Sequence, residues 1–383
     1  MKYEIVAVGD IHWGALDADK QRLELSIIPE YLEQHDIDLL VICGDYFDHK
    51  LMLNSQASLQ SVDFMSQLIQ LSHRKGHEFK IRVFDGTRSH DYDQLEVFQP
   101  FDDGDRFRLF RQNTFEETLP GLKCLYAPDE NIDNSEYYTL YNDNIFVNDG
   151  DIMFFHGNFD NMLGGLLVND EAEQAHNVVF EYDVFSRLYN VIIGGHWHDA
   201  DNIGKMYYTR SVNRWKFGED RPKGFIHCTY NTDDRTYDIK RINNPYTDEY
   251  RTFLIDTSLF TSINDYNTMM QEIDKDLQDD DTLHVKIKVV ITNDSSDNKT
   301  FLDSIRLKYS NNRRVKVSTE NKFTKKIKKE KTEKLSTIKD KYSFLFNQQV
   351  GLVDRFIQFV KITKGIDLEP EQVKPMLEKY MTD

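Results

Sequence analysis

Five short segments place side chains that can bind a metal ion directly after apolar runs of the sequence. They are Gly9–His12, Gly44–His49, Gly86–Asp91, Phe155–Asn158 and Gly194–His198. An Asp-x-His or His-x-His spacing brings two donors from one loop around one ion, and mixed carboxylate and imidazole ligands suit Mn, Fe or Zn better than Ca or Mg. Because ligands gather at the carboxyl edge of the strands in α/β folds, the segments predict a metal centre at such an edge.

Each of these segments alone is a weak indication of a site. A single Asp-x-His pair mostly arises by chance, and a lone buried histidine more often makes a hydrogen bond in the core. The five segments follow one another at predicted strand ends, however, and seven of the twelve histidines lie in or beside such ends. Their combination favours a metal centre over coincidence.

The first 245 residues alternate strand and helix patterns. We predict strands at Tyr3–Val8, Asp38–Cys43 and Phe79–Phe84, with helices at Lys20–Gln34 and Gln56–Lys75 between them. Such alternation implies sheets covered by helices, and therefore an α/β fold. Beyond about residue 120 strands dominate: Lys123–Tyr126, Ile152–Phe155, Val191–Ile193, Met206–Arg210, Gly224–Tyr230 and Tyr237–Arg241.

The sequence Asn243-Asn244-Pro245 is typical of a boundary, so we predict one domain over residues 1–245. Residues 246–320 are predicted to form a small α+β domain, because strand and helix patterns alternate again there. Residues 321–383 are predicted to form a lysine-rich linker, Lys322–Lys334, and a helical tail, Tyr342–Met381. The linker segment either contacts DNA or is a solvated tether, and the tail either packs on its own domain or binds a partner.

Composition excludes several classes of protein. No apolar run approaches the ~20 residues of a membrane-spanning helix. The first residues run straight into a strand pattern, so we expect no signal peptide. Three dispersed cysteines predict neither a disulfide framework nor a cysteine zinc finger, which favours a reducing, cytoplasmic location.

The net charge of −18 is unevenly distributed along the chain. Residues 306–341 carry a net +10, so the remainder carries −28. An acidic body taken alone argues against nucleic acid as a partner. It fits either a metal enzyme with carboxylates in its site or an ordinary solvated acidic surface.

The strand-end motifs resemble those of the calcineurin-like metallophosphoesterases, from Lys2 to about Arg241. The resemblance implies a four-layer β-sandwich flanked by helices and a site for two divalent ions, with Asp45 bridging both. Mn²⁺ is the expected ion, with Mg²⁺ or Fe²⁺ as alternatives. Mapped onto this sequence, the first ion is held by Asp10, His12, Asp45 and His198, and the second by Asp45, His156 and His196.

The resemblance also assigns roles within Gly86–Asp91, which stands where that family has Gly-Asn-His-Asp/Glu. His90 is then the catalytic histidine that stabilises or protonates the leaving 3′ oxygen, and Asp91 orients its ring. Ser89 replaces the expected asparagine and the loop is two residues longer. Ser89 is therefore the predicted hydroxyl ligand of the second ion, or a water fills its position.

Within the superfamily the motifs are most similar to those of SbcD-type nuclease subunits of double-strand-break repair and their bacteriophage counterparts. The similar segments are Asp10–Gly14, Gly44–Asp48, Tyr207–Ser211 and Arg221–Phe225. This resemblance implies a DNA nuclease that acts in recombination and repair. It also implies a homodimer, a capping domain that contacts DNA, and a tail that binds an SbcC-like coiled-coil ATPase of the SMC type.

Candidate DNA contacts lie in the motifs and in Lys205–Lys223, a basic segment with interleaved aromatic residues that follows the last motif. They are Trp13, Arg88, Arg210, Arg214 and Lys216. An ordinary exposed strand with lysine and arginine is the competing interpretation of that segment.

Two other functions remain open from the sequence. One is another hydrolase on the same scaffold, such as a cyclic-nucleotide or nucleotide phosphodiesterase or a protein phosphatase. The other is a non-catalytic scaffold with a degenerate metal site. The presence of Ser89 in place of the expected asparagine favours this alternative, and the full set of aspartates and histidines argues against it.

Overall fold

A computed structural model of the chain describes residues 1–74, 76, 78–91, 93–128, 150–160, 179–199, 202–214, 216–219, 221–258, 263–291, 296–322, 352–364 and 366–378. The chain forms two compact units. The first comprises Met1–Thr252 and Asp274–Val285, and the second comprises Phe253–Ile273 and Lys286–Asp383. The predicted limits at residues 245 and 320 stay predictions. Most of the predicted lysine-rich linker and the start of the predicted tail lie outside the described residues.

Six strands form the larger sheet: β1 (Lys2–Val8), β2 (Leu39–Cys43), β3 (Lys80–Phe84), β4 (Phe107–Phe110), β12 (Gly224–Asn231) and β13 (Thr236–Asn243). Their order across the sheet is β13–β12–β1–β2–β3–β4. The strands β1 to β4 run parallel, and β12 and β13 are added as an antiparallel pair beside β1. The carboxyl ends of β1, β2 and β3 therefore lie at one edge.

Five strands form the second sheet: β5 (Thr114–Leu119), β6 (Leu122–Ala127), β7 (Ile152–His156), β10 (Val191–Gly195) and β11 (Met206–Tyr208). Their order is β11–β10–β7–β6–β5, with β5 alone antiparallel to its neighbour. Two short strands, β8 (Asn158–Phe159) and β9 (Val179–Phe180), pair beside it. The ends of β7 and β10 again share one edge.

The described helices between residues 1 and 199 are α1 (Ala18–Leu25), α2 (Ile27–Gln34), α3 (Gln56–Ser72), the single turn α4 (Arg88–Asp91), a 3-10 helix (Gln94–Phe101) and α5 (Tyr182–Leu188). The helix predicted over Lys20–Gln34 is in fact two helices that meet at Ser26. Pro29 explains the break, because it has no N–H to donate to the carbonyl of Leu25 four residues earlier.

Alternation along β1 divides the core into layers. Ile5 and Ala7 lie in a cluster that joins the two sheets face to face, together with Val41, Tyr126 and Phe154. Successive strand residues point to opposite faces of a sheet, so Val6 and Val8 point to the outer face of the larger sheet. A second cluster packs that outer face against α1, α2 and α3, and a third packs the outer face of the second sheet against α5. The arrangement is a helix–sheet–sheet–helix sandwich, which confirms the predicted fold class.

The remaining described elements are β14 (Glu249–Asp256), α6 (Ile263–Asp279), β15 (Leu283–Ile291), α7 (Ser296–Lys308), β16 (Val315–Asn321), α8 (Leu352–Lys364) and α9 (Pro370–Glu378). The strands form a sheet in the order β14–β15–β16. Buried residues alternate with partly exposed ones from Leu283 to Val289 of β15, as the sequence pattern predicts, whereas Val290 is also buried and Ile291 is partly exposed. No helix in the described part of the chain is both long and apolar enough to cross a membrane.

Candidate metal centre

The five strand-end segments converge in the folded chain. Three overlapping groups each bring carboxylate oxygens and imidazole nitrogens within 4.8 Å of one another: Asp10, His12 and His198; His12, Asp45 and His90; and Asp45, His156 and His196. These residues lie at the carboxyl ends of β1, β2, β3, β7 and β10 or in the loops that follow them. The convergence arises because the parallel strands of both sheets end at the same edge of the sandwich.

The first group has the geometry of atoms that share an ion. The Nε2 atoms of His12 and His198 face each other at 3.2 Å. The Asp10 Oδ1 lies 4.0 Å from the His12 Nε2 and 3.8 Å from the His198 Nε2. Ligand atoms about 2.0–2.2 Å from one ion lie roughly 3–3.6 Å apart at tetrahedral or octahedral angles. The distance between the two imidazole nitrogens lies in this range, and the two distances from Asp10 exceed it by 0.2–0.4 Å, so a small approach of the Asp10 carboxylate would complete the coordination of a divalent cation.

Asp45 links the first group to the second. Its Oδ2 lies 3.2 Å from the Nε2 of His156 and 3.7 Å from the Nε2 of His12. Asp45 and His12 each belong to two of the three groups. A carboxylate in this position can contact ions on both sides, as the predicted bridge requires.

A threonine hydroxyl, which the sequence interpretation missed, lies in the second group. The Thr87 Oγ1 is 3.3 Å from the Asp45 Oδ2 and 3.3 Å from the His156 Nε2, and the Thr87 N–H donates to the Asp45 Oδ1 at 2.5 Å. Ser89, the predicted ligand, lies in α4 with an exposed side chain. The geometry favours Thr87 over Ser89 as the hydroxyl neighbour of a second ion.

Backbone strain is concentrated at these residues. Six non-glycine residues in the described part of the chain have a positive φ, and four are candidate ligands: Asp10 (53°), His12 (52°), Asp45 (49°) and His196 (104°). Such conformations cost roughly 1–3 kcal/mol each and persist where the surrounding structure enforces them, commonly at functional sites. The fold holds these donors in place against a local conformational preference.

Two glycines allow the loops to approach one another closely. A Cβ on Gly44, which has a φ of +75°, would lie 2.5 Å from the Nδ1 of His156. A Cβ on Gly86 would lie 2.1 Å from the backbone nitrogen of Asp45. Any larger residue would separate the loops that supply the ligands.

The chain matches the family model of calcineurin-like phosphoesterases over residues 3–200, just over half its length. The chain belongs to this family. Comparison with curated protein sequences gives no match. Members of the family hydrolyse phosphoesters with divalent metal ions, and the Asp and His groups described above could hold such ions.

In this phosphoesterase site, the two central carboxylates are electrostatically different. Burial, followed by the charge of Asp45, raises the pKa of Asp10 to about 6. Burial acts in the same direction on Asp45, but the attraction and hydrogen bond of His156, together with the attraction of His12 and His90, outweigh it and hold the pKa of Asp45 well below the usual range. Asp45 is therefore the stronger anion, which suits a carboxylate shared between two cations.

Polar contacts at Nδ1 orient the histidines of the phosphoesterase site. The Nδ1 of His156 donates to the carbonyl of Cys43 at 2.8 Å, which directs its Nε2 towards Asp45. The Nδ1 of His198 is hydrogen-bonded to the Glu219 Oε1 at 2.9 Å, and the Nδ1 of His12 lies at ion-pair distance, 3.3 Å, from the Asp48 Oδ1. Such acceptors fix the ring tautomer that leaves Nε2 free for a metal. The motif Gly44–Asp48 could have indicated Asp48, but no local pattern indicates Glu219.

His90 lies beside the centre, but Asp91 does not orient its ring. The His90 ring centroid is 4.6 Å from that of His12, and its Nδ1 faces the carbonyl of Asp48. The carboxylate of Asp91 instead accepts the N–H groups of Phe47 at 2.9 Å and Gly86 at 2.7 Å. The predicted role of Asp91 is thus replaced by another: it ties together the loops after β2 and β3.

The candidate DNA contacts fall into two sets. Arg88 and Lys216 are exposed. Trp13 is fully buried and packs on Phe64, so its ring is not accessible to nucleic acid in this structure. Arg210 is 8% exposed and donates to the Pro222 carbonyl.

Arg214, the remaining candidate, is half-buried and donates to the backbone carbonyls of Asp248 and Arg221. Sequence alone did not separate these structural arginines from the exposed cations, because burial depends on the tertiary packing.

Proposed function

We propose that this calcineurin-like phosphoesterase is a metal-dependent DNA nuclease that hydrolyses phosphodiester bonds. The observation that carries the proposal is the pair of donor groups joined by Asp45, with His90 at their edge. Bound divalent ions would supply Lewis acidity to a phosphoryl oxygen and lower the pKa of a water molecule. Exposed Arg88, which lies in the same turn as His90, supports an anionic polymer as substrate.

The residues of the chain have distinct tasks in this reaction. Asp10, His12 and His198 would hold one ion and Asp45, His156 and His196 the other, with Mn²⁺ as the proposed metal. The Nδ1 of His90 faces the carbonyl of Asp48, so its Nε2 is the ring atom available to the leaving 3′ oxygen. His90 would stabilise or protonate that oxygen.

The decisive test is Mn²⁺-dependent degradation of linear duplex and single-stranded DNA by the parent protein and by His90→Ala. Positioned proton transfer contributes about 10²–10⁴-fold to a rate, so we expect a loss of that size with Mn²⁺ binding retained. The control is His73→Ala, which removes an exposed imidazole that contacts Arg106 and lies outside the three donor groups. Cleavage by His90→Ala at the parent rate would refute the assigned role.

A simple phosphodiester ester assayed in parallel distinguishes the related functions. Hydrolysis of the ester without DNA cleavage would favour a nucleotide phosphodiesterase or phosphatase within the same family. Failure to bind Mn²⁺ at all would favour a non-catalytic scaffold, for which the buried donor groups would have no use.

We further propose that the nuclease acts in recombination and repair as a homodimer with an SbcC-like coiled-coil ATPase bound to its tail. Four strongly exposed apolar residues, Leu23, Met52, Leu53 and Leu59, lie on α1, on α3 and in the loop before α3, and support self-association. Val353, Phe356, Ile357 and Val360 form a half-buried stripe on α8, which supports docking of the tail. The free, buried cysteines are compatible with the proposed cytoplasmic location.

Truncation after Ser336 tests the role of the tail. The shortened protein is expected to stay folded and to cleave single-stranded DNA, but to lose the ATPase partner in co-purification. Retention of the partner by the truncated protein would contradict tail docking.

A further inference from the structure

Two buried charged residues beyond the end of the family match reach back to His198. The Glu219 Oε1 lies 2.9 Å from the His198 Nδ1, and both side chains are almost fully buried, at 4% and 10% exposure. The opposite ring nitrogen, Nε2, faces His12 at 3.2 Å. The ring is thus bound by a carboxylate on one side and faces the candidate metal position on the other.

Lys223 completes this arrangement. Its side chain is fully buried, and its Nζ lies 3.4 Å from the Glu219 Oε2 and 2.8 Å from the Asp199 Oδ1. The same ammonium donates to the carbonyl of His198 at 3.0 Å. One cation therefore contacts the carboxylate that binds the ring and the backbone that carries the ring.

A buried ammonium is retained only where anions and acceptors surround it, and here Lys223 has three. These contacts assign Lys223 to the interior of the protein and not to a DNA-contacting surface. They also account for Glu219, whose carboxylate would otherwise be a buried anion without a counter-ion.

We infer that Glu219 and Lys223 are positioning residues for the metal held by Asp10, His12 and His198. The Glu219 carboxyl group accepts the Nδ1–H of His198, which places the Nε2 lone pair towards Asp10 and His12. Lys223 contacts both the Glu219 carboxylate and the His198 carbonyl, and so fixes the position of one relative to the other. The inference rests on the metal centre of the proposed function, but not on its DNA substrate.

The test is calorimetric titration of Mn²⁺ into the metal-free full-length chain. A His196→Ala background removes a ligand of the other group, so that the first group is measured separately. Loss of an acceptor that orients a metal-binding histidine typically costs 10–100-fold in metal affinity. We expect a weakening of about 10-fold for Glu219→Gln, which retains a neutral acceptor, and about 100-fold for Glu219→Ala.

Two further variants show that the effect is specific. Lys223→Met should weaken Mn²⁺ binding less than Glu219→Ala, because the bond between Glu219 and the ring remains. Glu4→Gln is the matched control, since Glu4 Oε2 is also 2.9 Å from an imidazole, the Nε2 of His227, at a position outside the three donor groups. It should leave Mn²⁺ affinity unchanged.

Circular dichroism confirms that each variant is folded. If Glu219→Ala does not fold, the isosteric Glu219→Gln decides the question. First-group Mn²⁺ affinities within twofold of the parent for the folded Glu219 variants would overturn the inference. Absence of Mn²⁺ binding by the parent would overturn both the inference and the metal centre, whereas Mn²⁺ binding without DNA cleavage would overturn the proposed nuclease alone.

Discussion

Glu24 provides a quantitative test of how burial shapes the phosphoesterase unit. Its side chain on α1 is 1% exposed, and neither carboxylate oxygen has a hydrogen-bond partner at normal distance among the described residues. The Nζ of Lys20 is 3.7 Å from the Glu24 Oε1. Burial outweighs the attraction of Lys20 and Arg214 and raises the pKa of Glu24 from 4.5 to about 7.

The sign of the pH dependence follows from this raised pKa. Between pH 4.5 and 7 the unfolded chain releases the Glu24 proton while the folded chain retains it, so the group destabilises the fold as pH rises. At 1.36 kcal/mol per pKa unit the full effect is at most about 3 kcal/mol, reached above pH 7. Replacement of the carboxyl group by the neutral amide of glutamine removes this effect.

Glu24→Gln should therefore be close to the parent in stability at pH 4 and more stable by up to about 3 kcal/mol at pH 8. The measurement is urea denaturation of both proteins at the two pH values. The difference in free energy of unfolding between variant and parent at pH 4 is compared with that at pH 8. Glu33→Gln, an exposed carboxylate replaced on α2, is the control and should show no such change. A Glu24→Gln difference that is the same at both pH values would refute the argument.

Three further predictions concern the site. Asp45→Asn removes the anion shared by two donor groups, so Mn²⁺ stoichiometry measured by elemental analysis should fall from two to at most one; two retained ions would contradict the bridge. Asp91→Asn leaves one acceptor oxygen for the N–H groups of Phe47 and Gly86, so chemical denaturation should show a loss of about 1–3 kcal/mol, and an unchanged stability would exclude the loop-tying role. Gly44→Ala should lower both the free energy of unfolding and the affinity for Mn²⁺. Gly76 has a similar positive φ but open space around it, so Gly76→Ala should lower only the stability, by about 1 kcal/mol. Equal loss of Mn²⁺ binding in the two variants would contradict the close-approach argument.

Much of the site could be predicted from local sequence because the donors follow apolar runs directly. Asp10, Asp45 and His156 each lie at the end of a strand that its run of apolar residues predicts. Parallel strands then bring their carboxyl ends together at one edge of the sheet. The burial along most of β15 could also be predicted, because apolar and polar residues alternate in its sequence from Leu283 to Val289. The break before α2 was also present in the sequence, as Pro29, and was missed.

Other features depend on contacts between residues far apart in the chain. Glu219 reaches His198 across 21 residues, and Thr87 rather than Ser89 reaches Asp45 because of how the loop after β3 turns. The burial of Trp13 and Arg210 likewise follows from packing against elements that no local pattern identifies.

The sequence by itself determined which side chains are available at the strand ends, and with them a donor set that could bind metal ions and that matches the calcineurin-like phosphoesterase family. The tertiary structure alone decided which acceptor orients each histidine, which hydroxyl approaches the second donor group and which arginines are structural. The physical reason is that strand periodicity and turn residues act over a few neighbours, whereas hydrogen-bond partners and burial are set by the packing of distant segments.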